Sequence, residues 1–498
     1  MMKIQLVKAP TYDTGMPENS WYTPLNLIWL ANYLLPHGYQ VEILDGQLLG
    51  MPEILDRISS EILGVSFDIL SIDAFDAIIK EGKKRGCFTV AGGHLATALG
   101  FTLLTQNADL DAVVQHDGEE AILGIADCLR RNRSVDDSVP NLLVRLNGKL
   151  LRSSVDEVDL KALPLPRRDI DGIDLEVYFR NFQSTKRELQ LPFTYSRPTN
   201  TYSHKGCPFR SRDQGCSFCS RVDKRFRQKS AEQVYQEYKY LVDEYQVDHI
   251  SDFSDSWIST PFLHELARQY NKHGPIRSTL RVYGDVRLIT PENACIMGDL
   301  GVNAVLLGVE SGNEDILRLN GKPTTREQIL SAISSLAENG IMVADAYVLG
   351  LIGETRESVR DTIKLAREIR RICETEISYW NIMTPLPGSK VWHRLNEMGR
   401  ISEKSGYHLK ARELEQISVD SFCNLGKSGY DFLVDVRELQ LRESKTSSAE
   451  FIPPMEPLFV EGVGIQRKSG HEEPFLEPMI ISNRRTRNGF SRGFREET

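Results

Sequence analysis

Short apolar runs alternate with amphipathic stretches along most of the chain, and the hydrophobic period switches between two and about 3.6 residues. In the first third, Lys3–Val7, Val41–Leu44, Ile62–Ser66, Phe88–Ala91 and Ala112–Val114 read as strands separated by helical sequence. Thr23-Pro24 is a helix-start signal, a hydroxyl N-cap followed by proline at the first helical position. Leu27, Leu30, Ala31 and Leu34 then form the apolar stripe of a helix expected to end at Gly38. Strands alternating with helices predict a parallel sheet covered on both faces. This α/β domain is placed at 1–135.

A hairpin follows, because Asn147-Gly148 separates the β-like runs Asn141–Leu146 and Lys149–Arg152, and both turn residues tolerate positive φ. Residues 136–196 are read as this hairpin plus a linker containing Ala162-Leu-Pro-Leu-Pro-Arg-Arg. Over 197–400 a second alternation appears, with strands at Thr199–Ser203, His249–Phe253, Ser278–Tyr283, Ala304–Val309, Met342–Leu349 and Ser378–Met383. Six such units predict a partial (β/α)6 barrel, whose ligands sit at the C-terminal ends of the strands. A small C-terminal region at 401–443 and an extension at 444–498, expected to be partly mobile, complete the chain.

Composition changes this picture little. The 498 residues carry 60 Lys and Arg against 69 Asp and Glu, a net charge of −9, and 41% are hydrophobic. Those values exclude collagen, wholesale disorder and a small disulfide scaffold, and they argue against a dedicated nucleic-acid binder. No apolar run approaches the roughly 20 residues of a membrane helix. The opening MMKIQLVKAP is too soon broken for a signal peptide, so a cytoplasmic location is expected. There the eight cysteines are expected as thiols unless they hold a metal.

Three of those cysteines, Cys207, Cys216 and Cys219, fall in one Gly-containing polar loop just after a predicted strand. Soft thiolates at close spacing suit zinc or an iron–sulfur cluster. Structural zinc normally takes four ligands, and His204 is the available fourth. Three thiolates alone leave one metal position open for chemistry.

Cys216-Ser-Phe218-Cys219 resembles the second half of the C-x3-C-x-Φ-C loop of radical S-adenosylmethionine (radical SAM) enzymes, although Cys207 to Cys216 is a longer C-x8-C spacing. The resemblance continues at Leu306-Leu-Gly-Val-Glu310-Ser311-Gly312, Tyr347-Val-Leu-Gly350-Leu-Ile352-Gly353-Glu354-Thr355 and Asn381-Ile-Met-Thr-Pro385-Leu-Pro387-Gly388-Ser389. It implies that Cys207, Cys216 and Cys219 bind a [4Fe-4S] cluster whose fourth iron chelates S-adenosyl-L-methionine. One electron then yields methionine and a 5′-deoxyadenosyl radical. Phe218, Glu310, Ser311, Gly350 and Ile352 are the expected SAM contacts, with Ser254, Asp255 and Arg281 as further strand-end candidates. A carboxylate such as Glu310 or Glu354 is also explained by a helix start.

In the first domain, Gly92-Gly93-His94 ends a strand, and glycine there permits close approach of a large ligand. The segment resembles a variant of the Gly-Gly-x-His loop in the Rossmann-like (flavodoxin-like) cobalamin-binding domain of B12-dependent radical SAM enzymes. That implies cobalamin at Gly92, Gly93 and His94. The Asp-x-His-x-x-Gly loop that supplies a cobalt ligand elsewhere is absent from the sequence. Residues 205–229 carry eight Lys or Arg against Asp213 and Asp223, which suits nucleic acid, an anionic electron donor or a plain solvated face. The expected reaction is methyl transfer to an unactivated carbon or phosphorus of a small-molecule or peptide substrate, with electrons from a flavodoxin- or ferredoxin-type donor. The alternatives are a B12-independent radical SAM enzyme, including one acting on tRNA, and a non-catalytic zinc or iron–sulfur protein. A methylthio transfer to tRNA is opposed by the lack of a second cysteine set in the first domain.

Overall fold

The computed structural model describes residues 2–11, 21–188, 191, 193–210, 215–223, 225–257, 259–402 and 410–445. Strands β1 (Lys3–Lys8), β2 (Gln40–Asp45), β3 (Ile62–Ser66), β4 (Phe88–Gly92), β5 (Ala112–Val114), β6 (Leu142–Leu146) and β7 (Lys149–Arg152) form one sheet in the order 2-1-3-4-5-6-7. The first five pair in parallel, and β6 and β7 add antiparallel through the Asn147-Gly148 turn, where both residues have positive φ. The hairpin is therefore an edge of the first sheet. Buried apolar residues on both faces of β1 and β3 explain their near-continuous hydrophobic sequence.

The second sheet holds β8 (Pro198–Thr201), β11 (His249–Asp252), β12 (Thr279–Gly284), β13 (Val302–Glu310), β14 (Met342–Leu349) and β15 (Thr375–Ile382), all parallel and in sequence order. Sequential order with a helix after each of the later strands is the signature of a partial barrel. Between β8 and β11 a two-residue ribbon, β9 (His204–Lys205) paired with β10 (Arg227–Gln228), closes the base of the cysteine loop. Helices Ala411–Phe422 and Gly429–Lys445 lie against the end of the barrel, touching Gly350 through Val419 and Leu433. All but the first two residues of the expected extension 444–498 fall outside the described residues.

Two local expectations are corrected. Thr23 does not cap its helix, which runs Leu25–Leu34 with Pro24 at the cap. Its backbone N–H and hydroxyl both donate to Asn200 Oδ1, at 3.0 and 2.8 Å, on the second sheet. The linker-like Arg168 is fully buried, donating to the Asn200 carbonyl at 2.8 Å beside Glu237. Thr23 gives up a local cap to tie the first domain to β8 of the second sheet, and Arg168 pins the connecting segment to that same strand. No helix among the described residues is long and apolar enough to cross a membrane.

Candidate functional site

The C-terminal strand ends of the two sheets face one another across a cavity of about 550 Å³. Lys8, Ser66, Gly93, His94, His116 and Asp117 line it from the first sheet, and Tyr202, Lys205, Ser220, Arg221, Phe253 and Asp255 from the second. A smaller apolar slot of about 130 Å³ shares several of these residues and runs under Gly64, Gly92 and Val114 toward Trp29 and Ile122. A Cβ on Gly92 would meet nothing within 4 Å. Trp29, 6% exposed, has an indole N–H without a hydrogen-bond partner.

Cys207, Cys216 and Cys219 are half-buried free thiols. The Cys216–Cys219 turn closes with the Cys219 N–H donating to the Cys216 carbonyl at 3.3 Å. It is clamped by neighbours distant in sequence. Ser217 donates through its backbone N–H to the Asn320 carbonyl (2.9 Å) and through its hydroxyl to Asn320 Oδ1 (2.7 Å), while Val391 N–H donates to the Ser217 carbonyl at 3.1 Å. A Cβ on Gly321 would lie 2.5 Å from the Gly215 carbonyl oxygen, so only glycine allows this approach. Asn320 also donates to the Ile352 carbonyl at 3.0 Å, tying the cysteine turn to the end of β14.

The thiols sit among cations. Arg210 donates to Cys219 Sγ at 3.7 Å, and Arg287 lies over the Phe209 ring at 3.4 Å while pairing with Asp285. Burial pushes Cys216 up to about 12, against the opposing pull of Lys322. Burial disfavours the Lys322 charge, but Glu310, Asp285 and Cys216 outweigh it and hold its pKa above the usual lysine value. Lys322 Nζ is 2.9 Å from Glu310 Oε1 and donates to the Gly308 carbonyl at 2.6 Å. Such a set disfavours free thiolates and favours sulfur bound to metal. Among the described residues, no three His, Cys, Asp or Glu side chains converge around a single ion. His204 is no zinc ligand here, because Nε2 accepts from the Ser256 N–H at 3.1 Å, Nδ1 meets Ser203 Oγ at 3.2 Å, and burial lowers its pKa to about 3. The donor set therefore fits a multi-iron cluster better than a closed tetrahedral site.

The predicted SAM contacts divide. Glu310 sits at the end of β13 with φ 66, a strained backbone for a residue with a side chain, just past a register irregularity. It pairs with Lys322 instead of starting a helix; Asn313 caps the helix that follows. Phe218 and Ile352 share one apolar cluster with Leu351 and Met383. Asp255 faces the cavity and is paired with Arg221 at 2.5 Å.

The others are committed elsewhere. Ser254 is buried and holds the end of β8, accepting from the Ser203 and His204 N–H groups at 2.8 and 3.0 Å. Ser311 is buried, with its hydroxyl 3.2 Å from that of Thr362. Arg281 is buried inside the barrel, 2.9 Å from both Glu376 and the Tyr379 hydroxyl; a bulge in β15 turns Glu376 inward. Gly350, at φ 82, supplies an N–H that donates to Glu354 and faces the C-terminal helices. Glu354 is fully buried with its other oxygen unpartnered, and burial lifts its pKa to about 8; Thr355, not Glu354, caps the next helix. Lys322 and Asn320 were not anticipated. The only sequence signal for them is an Asn-Gly-Lys turn, which reads as an ordinary loop.

Among the described residues of the basic run, most cations are paired with carboxylates. Lys205 and Arg227 both pair with Asp117, Arg221 with Asp255, Arg225 with Glu157, and Lys229 with Glu237. Lys205 and Arg227 thereby fasten the base of the cysteine loop to Asp117, just past the end of β5.

Residues 201–366 match the radical SAM superfamily. The chain is 25% identical over 425 residues to an uncharacterised methyltransferase of Pyrococcus horikoshii, covering 79% of this chain and 83% of that protein. It is 24% identical over 421 residues to the anaerobic magnesium-protoporphyrin IX monomethyl ester cyclase of Rubrivivax gelatinosus, covering 80% and 71%. Among solved structures, its fold matches the radical S-adenosylmethionine methyltransferase TsrM of Kitasatospora setae, determined with cobalamin and a [4Fe-4S] cluster bound. That match has a TM-score of 0.65 at 18% identity and covers 80% of this chain and 78% of the other.

Proposed function

We propose that this chain is a cobalamin-dependent radical SAM methyltransferase with Cys207, Cys216 and Cys219 as the ligands of a [4Fe-4S] cluster, in keeping with the radical SAM match over residues 201–366 and the similarity to an uncharacterised methyltransferase. The observation that carries the reading is the cavity between the two sets of strand ends, with the Gly92-Gly93-His94 strand end and an apolar side slot on one side and the residues just after Cys219 on the other. A corrinoid needs a wide chamber and a place for its nucleotide tail. The large cavity and its apolar side slot supply both, with Gly92 leaving the approach open and the Trp29 N–H available as a donor.

When bound, the cluster with SAM supplies a radical able to take hydrogen from an unreactive carbon, and cobalamin supplies a methyl group. The protein's part is placement. Asn320 and Gly321 fix the cysteine turn against Ile352, so that the apolar surface of Phe218 and Ile352 borders the cysteines and suits the adenine of SAM. Lys322 and Glu310 offer a cation and an acceptor beside Cys216, complementary to the carboxylate and ammonium of an amino acid. The required electron comes from a flavodoxin- or ferredoxin-type donor.

The test is anaerobic reconstitution with iron, sulfide and hydroxocobalamin. The expected result is a retained corrinoid spectrum, with 5′-deoxyadenosine and S-adenosylhomocysteine formed when a methyl acceptor is present. Protein that cleaves SAM yet never retains a corrinoid would refute the methyltransferase reading and favour B12-independent radical chemistry.

A further inference from the structure

We infer that His94 is a positioning residue that couples the ligand of the interdomain cavity to the cluster loop, rather than simply a wall of the cavity. The identity of that ligand rests on the corrinoid reading above; the contact to the loop does not.

His94 begins the helix His94–Gln106, directly after Gly93 at φ 99. Its Nε2 lies 2.7 Å from the carbonyl oxygen of Ser220, the residue following Cys219. A carbonyl only accepts, so Nε2 carries the proton, and in the neutral ring Nδ1 is left as an acceptor. Partial desolvation at the cavity wall and the neighbouring Arg221 both pull the ring's pKa below its ordinary value. His94 lines the cavity, and among the described residues its Nδ1 has no hydrogen-bond partner.

The loop it grips has neighbours on more than one side. A Cβ on Gly388 would lie 3.4 Å from Ala98 Cβ, 3.5 Å from the Ser220 oxygen and 3.7 Å from Val222, so residues 220–222 are held between the first domain and the loop after β15. At its base the same loop is fixed by Lys205 and Arg227 to Asp117, and Lys205 and Asp117 also line the cavity. The rim of a corrin carries amide N–H donors. One of them donating to Nδ1 would polarise the imidazole and strengthen the Nε2–H bond to Ser220, because hydrogen bonds in a chain reinforce one another. Ligand in the cavity and sulfur on the cluster are then linked through one ring, and the linkage runs in both directions.

The experiment compares wild type, His94→Ala and His94→Gln as full-length protein, with and without a reconstituted cluster. Hydroxocobalamin affinity is measured by absorbance titration. In wild type the cluster is expected to tighten binding by about 5-fold or more. In His94→Ala the two affinities should become equal. In His94→Gln, whose amide offers both a donor and an acceptor, most of the difference should return. An undiminished difference in His94→Ala overturns the inference, as does a nitrogen splitting on cobalt(II) that vanishes in that variant, which would make His94 a metal ligand.

A second measurement needs no corrinoid. Iron loss to a chelator should be several-fold faster in His94→Ala than in wild type or His94→Gln. Equal rates overturn the inference. If wild type binds no cobalamin, the methyltransferase reading falls, and this second measurement alone decides the role of His94.

Discussion

The two sheets aim the same kind of strand end toward one another across the cavity, yet they are furnished differently. The second sheet crowds its ends with paired charge: Lys322 with Glu310, Arg287 with Asp285, and Arg221 with Asp255. The first sheet leaves Gly92 open above an apolar slot and places Lys8, His94, His116 and Asp117 around the larger cavity, of which Asp117 pairs with cations of the cysteine-loop base. The contrast matches what each side has to hold. Small charged groups next to thiolate need fixed countercharges in a place from which water is partly excluded. A large, mostly neutral ligand needs shape and room. The contacts that join the halves, such as Asp117 with Lys205 and Arg227, are buried ion pairs, which hold geometry more than they add stability.

The largest effect expected from breaking this contrast lies in the cysteine loop. Replacing Cys207, Cys216 or Cys219 by Ala should eliminate 5′-deoxyadenosine formation and lower bound iron, while corrinoid binding survives. Product analysis and iron assay check it; full activity of Cys207→Ala would show that the long C-x8-C spacing had been assigned the wrong first ligand.

Next comes the charge inside the second sheet. Lys322→Met leaves Glu310 buried beside Cys216 without its cation and should cost about 3 kcal/mol of stability by urea unfolding. Adding Glu310→Gln should restore much of that loss, whereas SAM affinity should remain weak in both.

Glu354 sharpens the same point through pH. Its folded pKa of about 8 lies above the unfolded 4.5, so the folded state binds more protons between those values. Its contribution to stability is therefore complete below 4.5 and shrinks as pH rises through 8. Relative to wild type, Glu354→Gln should flatten the stability profile, removing a slope of at most about 1.4 kcal/mol per pH unit. Unfolding midpoints from pH 5 to 8 measure it.

The mildest change tests the bare side. Gly92→Leu adds a side chain where a Cβ meets nothing. It should weaken hydroxocobalamin binding about tenfold, or ~1.4 kcal/mol, with SAM cleavage and thermal stability nearly unchanged. Equal affinity would place the corrinoid elsewhere.

Much of the architecture was legible because hydrophobic period is a local property. The strands of both sheets follow from it, as does the hairpin at Asn147-Gly148. The candidate site was legible only where chemistry is concentrated in sequence, at the cysteine loop and Gly92-Gly93-His94. Thr23 was misjudged because its local signal for a cap was overridden by Asn200, 177 residues away. The ion pair of Arg281 has no signal in the sequence, because a single-residue bulge in a distant strand brings Glu376 to meet it.

Sequence by itself determined which segments become strands, where three thiols crowd together and where glycine leaves the backbone open, since each depends on neighbouring residues alone. Which charge meets which was decided only by the tertiary structure. The basic run, the buried Lys322 and the imidazole of His94 acquire their partners across 8 to 126 residues of chain. A partner at that separation is chosen by packing, and no local pattern encodes it.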